Sequence, residues 1–275
     1  MPIDHYENFP VASLLLPRNL RAPVAIIYRF ARSADDLADE GSASSAERLE
    51  SLRGYDLQLE RIERGLAPNG SPEAALFNAL GQVIKSHDLE IQPFRDLLSA
   101  FSQDTVTPRY ETFEAVLDYC SRSANPVGRI MLALYRADQG EYRAWSDQIC
   151  TALQLINFWQ DVAVDLQKDR VYLPQEDLRR YGLAVESLPQ SVGTSGYREL
   201  MAFECQRART MMLAGAPLAR ALPGRIGLEL RLVVQGGLRI LEKIAAADFD
   251  VFERRPVLLK SDWMGMGLRA ITMRP

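Results

Sequence analysis

Apolar positions along the chain recur with a helical period almost throughout, and no run alternates with the two-residue period of a half-buried strand. Residues 22–40 read as a helix, with Pro23 suited to its first turn and Gly41 to its C-terminal cap. Residues 46–65 form a charged amphipathic helix, and a turn follows in which Ser71 caps the next helix and Pro72 opens it. A break at His87-Asp88 precedes a helix from Gln92 to about Asp104. Residues 110–135 are helical at both ends, with a kink where Pro126 removes a backbone donor. One long helix covers 144–168 and leaves by an extended segment at 169–174. A polar linker at 187–196 leads to helices over 197–220 and 224–247, and the tail from Val251 is basic, with Trp263 and several methionines. The fold class that results is all-α, one domain of roughly eight to ten helices, several long enough to line a central cavity.

Two stripes interrupt the apolar pattern. At about 100° per residue, Gln154, Asn157, Asp161 and Asp165 fall within roughly 80° of one another on the helix. Leu153, Leu155, Ile156, Phe158, Trp159 and Val162 flank that row, so its carboxylates point into the protein. On the earlier helix Tyr28, Arg32, Asp35 and Asp39 share an arc of about 60°. Carboxylates one turn apart repel, and burial aggravates the repulsion, so each stripe needs a positive partner. A lone DxxxD is most often a solvated face. Two such pairs with apolar flanks instead suit Mg²⁺, which takes oxygen ligands and borrows the rest from a substrate phosphate. Neither run has the glycine or the loop of an EF-hand.

Composition narrows the classes. The 275 residues are 47% hydrophobic, which supports a substantial core, and the net charge of −4, with both signs interspersed, gives no footprint for nucleic acid. Cys120, Cys150 and Cys205 are too dispersed for a disulfide framework or a metal site and fit a reducing cytoplasm. The opening residues make a poor signal peptide, and no segment approaches the ~18 apolar residues of a membrane span. His5 and His87 are too few and too distant for a metal triad. The GxGxxA match at 265–270 follows no strand, and no GxSxG elbow is present.

AIIYRFARSADDLADEG at 25–41 and LQLINFWQDVAVDLQKDRVYLP at 153–174 resemble the two aspartate-rich motifs of the squalene/phytoene synthase family. HYENFPVASLLLP near the start and YCSRSANPVGRIML at 119–132 are similar to its hydroxysqualene synthase branch. The resemblance implies an isoprenoid-synthase helical bundle around an apolar cavity, with about three Mg²⁺ ions holding a diphosphate at its mouth. It implies metal ligation by Asp35 and Asp39 from one side and by Asn157, Asp161 and Asp165 from the other. It further implies diphosphate contacts from Tyr28, Arg32 and Arg254, a cavity wall carrying Gln154 and Tyr119, and a closing aromatic at Phe9. Three positions depart from the family pattern. Asn125-Pro126 replaces Ala-Gly and puts an amide beside the cavity; Gln160 replaces an arginine before Asp161; Gly237 stands where a tyrosine is usual. The implied reaction is ionisation of presqualene diphosphate with water capture to hydroxysqualene, Asn125 positioning the water and no nicotinamide cofactor taking part. Condensation of two prenyl diphosphates and a silent assembly factor are the alternatives. A prenyl diphosphate substrate, peripheral membrane contact and association with other hopanoid-pathway enzymes are the expected partnerships.

Overall fold

The computed structural model describes residues 16–68 and 72–272. Among these the structure is helical, apart from an isolated parallel bridge between Arg109 and Val171. The helices run, in chain order, α1 Arg18–Asp39, α2 Ser45–Glu63, α3 Ala74–His87, α4 Gln92–Asp104, α5 Phe113–Ser123, α6 Asn125–Leu134 and α7 Tyr142–Gln160. They continue with α8 Val162–Gln167, α9 Gln175–Arg180, α10 Leu188–Ser191, α11 Ser195–Gly215, α12 Pro217–Ala221, α13 Gly224–Ala246 and α14 Lys260–Thr272.

Several boundaries differ from those read off the sequence, each for a local reason. α1 begins at Arg18, so Pro23 lies inside the helix and not in its first turn. The bond Pro23 cannot make would fall on the carbonyl of Asn19, an exposed residue that water can serve. At the other end Gly41 adopts φ 78°, the left-handed conformation that stops a helix without cost to a residue lacking Cβ. α3 starts at Ala74 after an uncapped Glu73, and the cap expected at Ser71 lies outside the described residues. Pro126 divides α5 from α6 as its missing donor requires, with Ala124 at φ −120°, ψ −47°. The long helix at 144–168 is broken at Asp161, whose φ −108°, ψ 14° separates α7 from α8. Amide bonds from Asp161 to the Asn157 carbonyl (2.9 Å) and from Asp165 to that of Asp161 (2.8 Å) still carry the helical direction through. Pro217 ends α11 early and opens α12. The 187–196 linker contains α10 and the Thr194 cap of α11, which accepts from the Tyr197 amide.

Two apolar clusters make up the core. Phe30, Tyr55, Phe77 and Phe94 centre the cluster of α1 to α4, with edge-on ring pairs 4.9–6.0 Å apart. Trp159, Tyr197, Leu155, Met212 and Leu238 centre the cluster of α7, α11 and α13. α11 lies close on α7 at Gly215, where a Cβ would come within 2.5 Å of the Trp145 carbonyl oxygen. Between the clusters runs a cavity of about 500 Å³. Its walls are Val24, Ile27 and Ala31 of α1, Met131 of α6, Leu153 of α7, and Leu230 and Val233 of α13, among others.

Candidate active site at the cavity mouth

α1 carries the cavity wall into the acidic cluster. Tyr28, Arg32 and Asp35, on successive turns of one face, all line the cavity. The wall residues from Val24 to Asp35 span about 16 Å of helix. Arg32 pairs with Asp35 at 3.1 Å, with Asp36 at 2.7 Å and with Glu40 at 3.1 Å, gathering the acids of the helix C-terminus, where the dipole already disfavours negative charge. Burial, then the nearby Asp39 charge, push the Asp35 carboxyl up to about 6.

The second acidic pair lies close enough to the first for the Asp39 charge to act on Asp165, although of the four carboxylates the cavity wall itself includes Asp35 alone. Asp161 sits at the break between α7 and α8 and is gripped side-on by Arg255, through Nε to one oxygen and Nη2 to the other at 3.0 Å. Asp165, one turn on, is raised to about 7, by burial and then by Asp161. Asp39 also adds to that rise, so charges of the two helices feel one another. Asp39 itself is bridged to the segment after α8: Arg170 donates to both of its oxygens, at 2.9 and 2.5 Å, and Lys168 lies at 3.4 Å. Burial would raise the Asp39 carboxyl, but these cations hold it below the ordinary range.

Behind the mouth lies an aromatic layer. Phe158 and Tyr172 stack at 3.7 Å with their rings 5° apart, and Tyr110 and Tyr119 pack beside them. Tyr119 donates to Asp104 at 2.6 Å and Tyr172 donates to its other oxygen at 3.3 Å. Burial pushes the Asp104 carboxyl up to about 6. Arg170 also donates to the Asp104 carbonyl at 3.3 Å, which ties the layer to the Asp39 clamp.

Several residues singled out in the sequence stand elsewhere than expected. Tyr119 is buried in the aromatic layer and is not on the cavity wall, because its hydroxyl is drawn to Asp104. Asn125 is 6% exposed and accepts from Thr151 at 2.9 Å within the α6–α7 contact, so its amide oxygen is turned away from the cavity. Gln154 is half-buried and also off the wall; Asn157 is exposed, on the same side of α7 as Asp161. Arg254 is exposed, and its neighbour Arg255 makes the contact with Asp161. Phe9 lies outside the described residues. Gln160 is fully buried, its Nε2 donating to the Pro256 carbonyl. Gly237 is where α13 meets α7 and α11: a Cβ there would lie 2.7 Å from Met212 Cε and 3.2 Å from Ile156 Cδ1.

Sequence reasoning passed over Asp104, Lys168, Arg170, Tyr172 and Arg255. The signal for three of them was present in the KDRVY run directly after the second acidic motif. Arg255 had its signal in the ERRP run, where spacing alone does not separate two adjacent arginines.

The donor set at the mouth suits a hard divalent cation: Asp35, Asp39, Asp161 and Asp165 offer carboxylate oxygens, and Asn157 an amide oxygen. Burial, then the neighbouring carboxylates, push Asp35 and Asp165 up, and a cation bound at those oxygens would offset both effects. Among the described residues no three acid, histidine or cysteine side chains converge into a ready-made ion cage. The acids are spread over two helices and steadied by Arg32, Arg170 and Arg255, an arrangement that leaves ligand positions to a phosphate.

Comparison with known proteins agrees with this geometry. The hydroxysqualene synthase of Rhodopseudomonas palustris is 32% identical over 244 residues, covering 88% of this chain and 80% of its own. The 15-cis-phytoene synthase of Synechocystis is 32% identical over 266 residues, covering 92% and 77%. The crystal structure of squalene synthase HpnC from Alicyclobacillus acidocaldarius superposes with a TM-score of 0.81 at 36% identity, over 89% of this chain and 90% of that one. The squalene/phytoene synthase model matches residues 4–262, and the chain belongs to that family.

Proposed function

We propose that the protein ionises presqualene diphosphate and captures the rearranged cation with water, giving hydroxysqualene and diphosphate. Family membership supplies the coarser statement, that of a synthase acting on prenyl diphosphates. The observation that carries the reading is the run of Tyr28, Arg32 and Asp35 along one face of α1, which joins an acid- and arginine-rich mouth to an apolar cavity. The preference for the hydroxysqualene step rests on the relatives named hydroxysqualene synthase, 30–32% identical, together with the 36% identity to the squalene synthase HpnC structure against 23% to a dehydrosqualene synthase of the same TM-score.

Asp35, Asp39, Asn157, Asp161 and Asp165 would hold Mg²⁺, which neutralises charge on a departing diphosphate when bound. Arg32 places a guanidinium on the cavity wall where negative charge develops, and Arg170 and Arg255 fix the Asp39 and Asp161 carboxylates in place. The leucine, isoleucine and valine walls fold the hydrocarbon and shield the cation from premature hydrolysis. Because the Asn125 amide is held by Thr151, the capturing water is better served by polar groups on the wall itself, such as the Tyr28 hydroxyl.

The second reading is condensation of two prenyl diphosphates, which the Synechocystis relative favours. Purified protein with Mg²⁺ is offered presqualene, farnesyl or geranylgeranyl diphosphate, and products are read by mass spectrometry. Hydroxysqualene from presqualene diphosphate supports the proposal. Turnover of geranylgeranyl diphosphate alone, with presqualene diphosphate left intact, replaces it by the second reading.

A further inference from the structure

The C-terminal helix α14 is built with its polarity inverted. Its inner face meets α13 through charge. Asp262 is buried and receives Lys243 at 2.6 Å, Arg239 at 2.8 Å and the Leu259 amide at 2.7 Å. One end of this contact is closed by Arg269 on Glu242 at 2.7 Å, and only Met266 and Ala270 of the helix add fully covered apolar surface. The outer face is apolar. Met264 is 81% exposed, Leu268 67% and Ile271 71%, at the i, i+4, i+7 spacing that makes one stripe. Trp263 flanks the stripe at 40% exposure, Leu259 precedes it, and Lys260 stands in the same row one turn before Met264.

A soluble helix places its apolar stripe against the core, so a stripe turned outward over a charged inner face points to a contact surface. We propose that the outer face of α14 lies on an anionic phospholipid bilayer, Met264, Leu268 and Ile271 entering the acyl boundary and Lys260 meeting the headgroups. Size argues against a second copy of the chain. A helix face about 20 Å long and 10 Å wide falls far short of the ~800 Å² per partner that a stable protein interface buries. A bilayer needs no complementary groove, and a single convex stripe edged by tryptophan and lysine is what an interfacial helix presents. Position agrees as well. Only four residues separate Arg255, which holds Asp161, from Lys260 at the start of α14, so the stripe follows the acidic site closely along the chain.

This inference stands apart from the reaction assigned above, and its test needs no turnover. The full chain is sedimented with vesicles of phosphatidylcholine alone and with added phosphatidylglycerol. Wild type is expected to partition onto the mixed vesicles and to shift its tryptophan emission to the blue, a shift that Trp263→Phe removes. Leu268→Ser with Ile271→Ser should lower the partition coefficient at least about tenfold, since the two side chains carry most of the apolar surface the stripe can transfer into the bilayer. Lys260→Glu should weaken binding to mixed vesicles and leave that to neutral ones alone. The altered side chains are exposed, so circular dichroism and melting should match wild type, and a melted variant is replaced by Met264→Ser alone. Equal partition of wild type and double variant overturns the proposal, as does failure of wild type to bind either vesicle. Sedimentation equilibrium showing a wild-type dimer that the double variant dissolves overturns it in favour of a second copy.

Discussion

Gln160 and Pro256, 96 residues apart, are joined by a hydrogen bond from the buried amide of the one to the carbonyl of the other. The bond pins the segment after α13 to the last turn of α7. Pro256 follows Arg255, so the same bond sets the height at which Arg255 meets Asp161. A positive charge is thus delivered to this acidic motif from the C-terminal segment, although the residue beside Asp161 is an uncharged glutamine.

Replacing Gln160 by Leu should therefore cost more than one hydrogen bond. The Pro256 carbonyl would be left buried without that donor, a loss of about 1–3 kcal/mol, read as a lower melting temperature. Turnover should fall further than stability explains, about tenfold, because Arg255 loses its register on Asp161.

Arg170→Gln should release Asp39. Without the two guanidinium bonds, burial is opposed by the more distant Lys168 ammonium, so the Asp39 pKa rises and its affinity for a divalent cation falls. The expected result is a Mg²⁺ titration of activity displaced to higher concentration by about tenfold or more, with Arg170→Lys intermediate. An unchanged Mg²⁺ midpoint would show that the Asp39 clamp has no bearing on ion binding.

Glu204 gives the clearest pH dependence away from the mouth. It is fully buried beside Asp177 and Arg207, and burial pushes its carboxyl up to about 8. The folded protein then retains a proton that the unfolded chain releases near 4.5. Its contribution to stability is therefore greatest at low pH and is lost as pH rises from about 4.5 through 8. Glu204→Gln, which keeps a donor toward Asp177, should flatten that part of the melting-temperature profile and raise the melting point at pH 8.5, at roughly 2–4 °C per kcal/mol.

Gly237→Ala should destabilise by about 1–3 kcal/mol, because Met212 and Ile156 must move to admit the methyl. Leu153, whose Cδ2 would lie 3.3 Å from the new Cβ, lines the cavity, so the variant should also narrow it. Longer prenyl substrates should lose more turnover than shorter ones, measured as the ratio of their kcat/KM values.

The sequence by itself determined the helical class, the two acidic stripes and the family, because each is written in short-range spacing. Asp35 and Asp39 are linked by helical period, as are Asp161 and Asp165, and a period is legible in one dimension. What neutralises those acids was decided by tertiary structure. Arg170 reaches Asp39 across 131 residues, and Arg255 reaches Asp161 across 94. Asn125 shows the same limit from the other side. The family resemblance placed it beside the cavity, but the partner that captures its amide oxygen, Thr151, is presented by a different helix. Tyr119 likewise turns toward Asp104. A helical face can be read from the chain; which of its polar atoms are already spent on neighbours depends on how the helices pack.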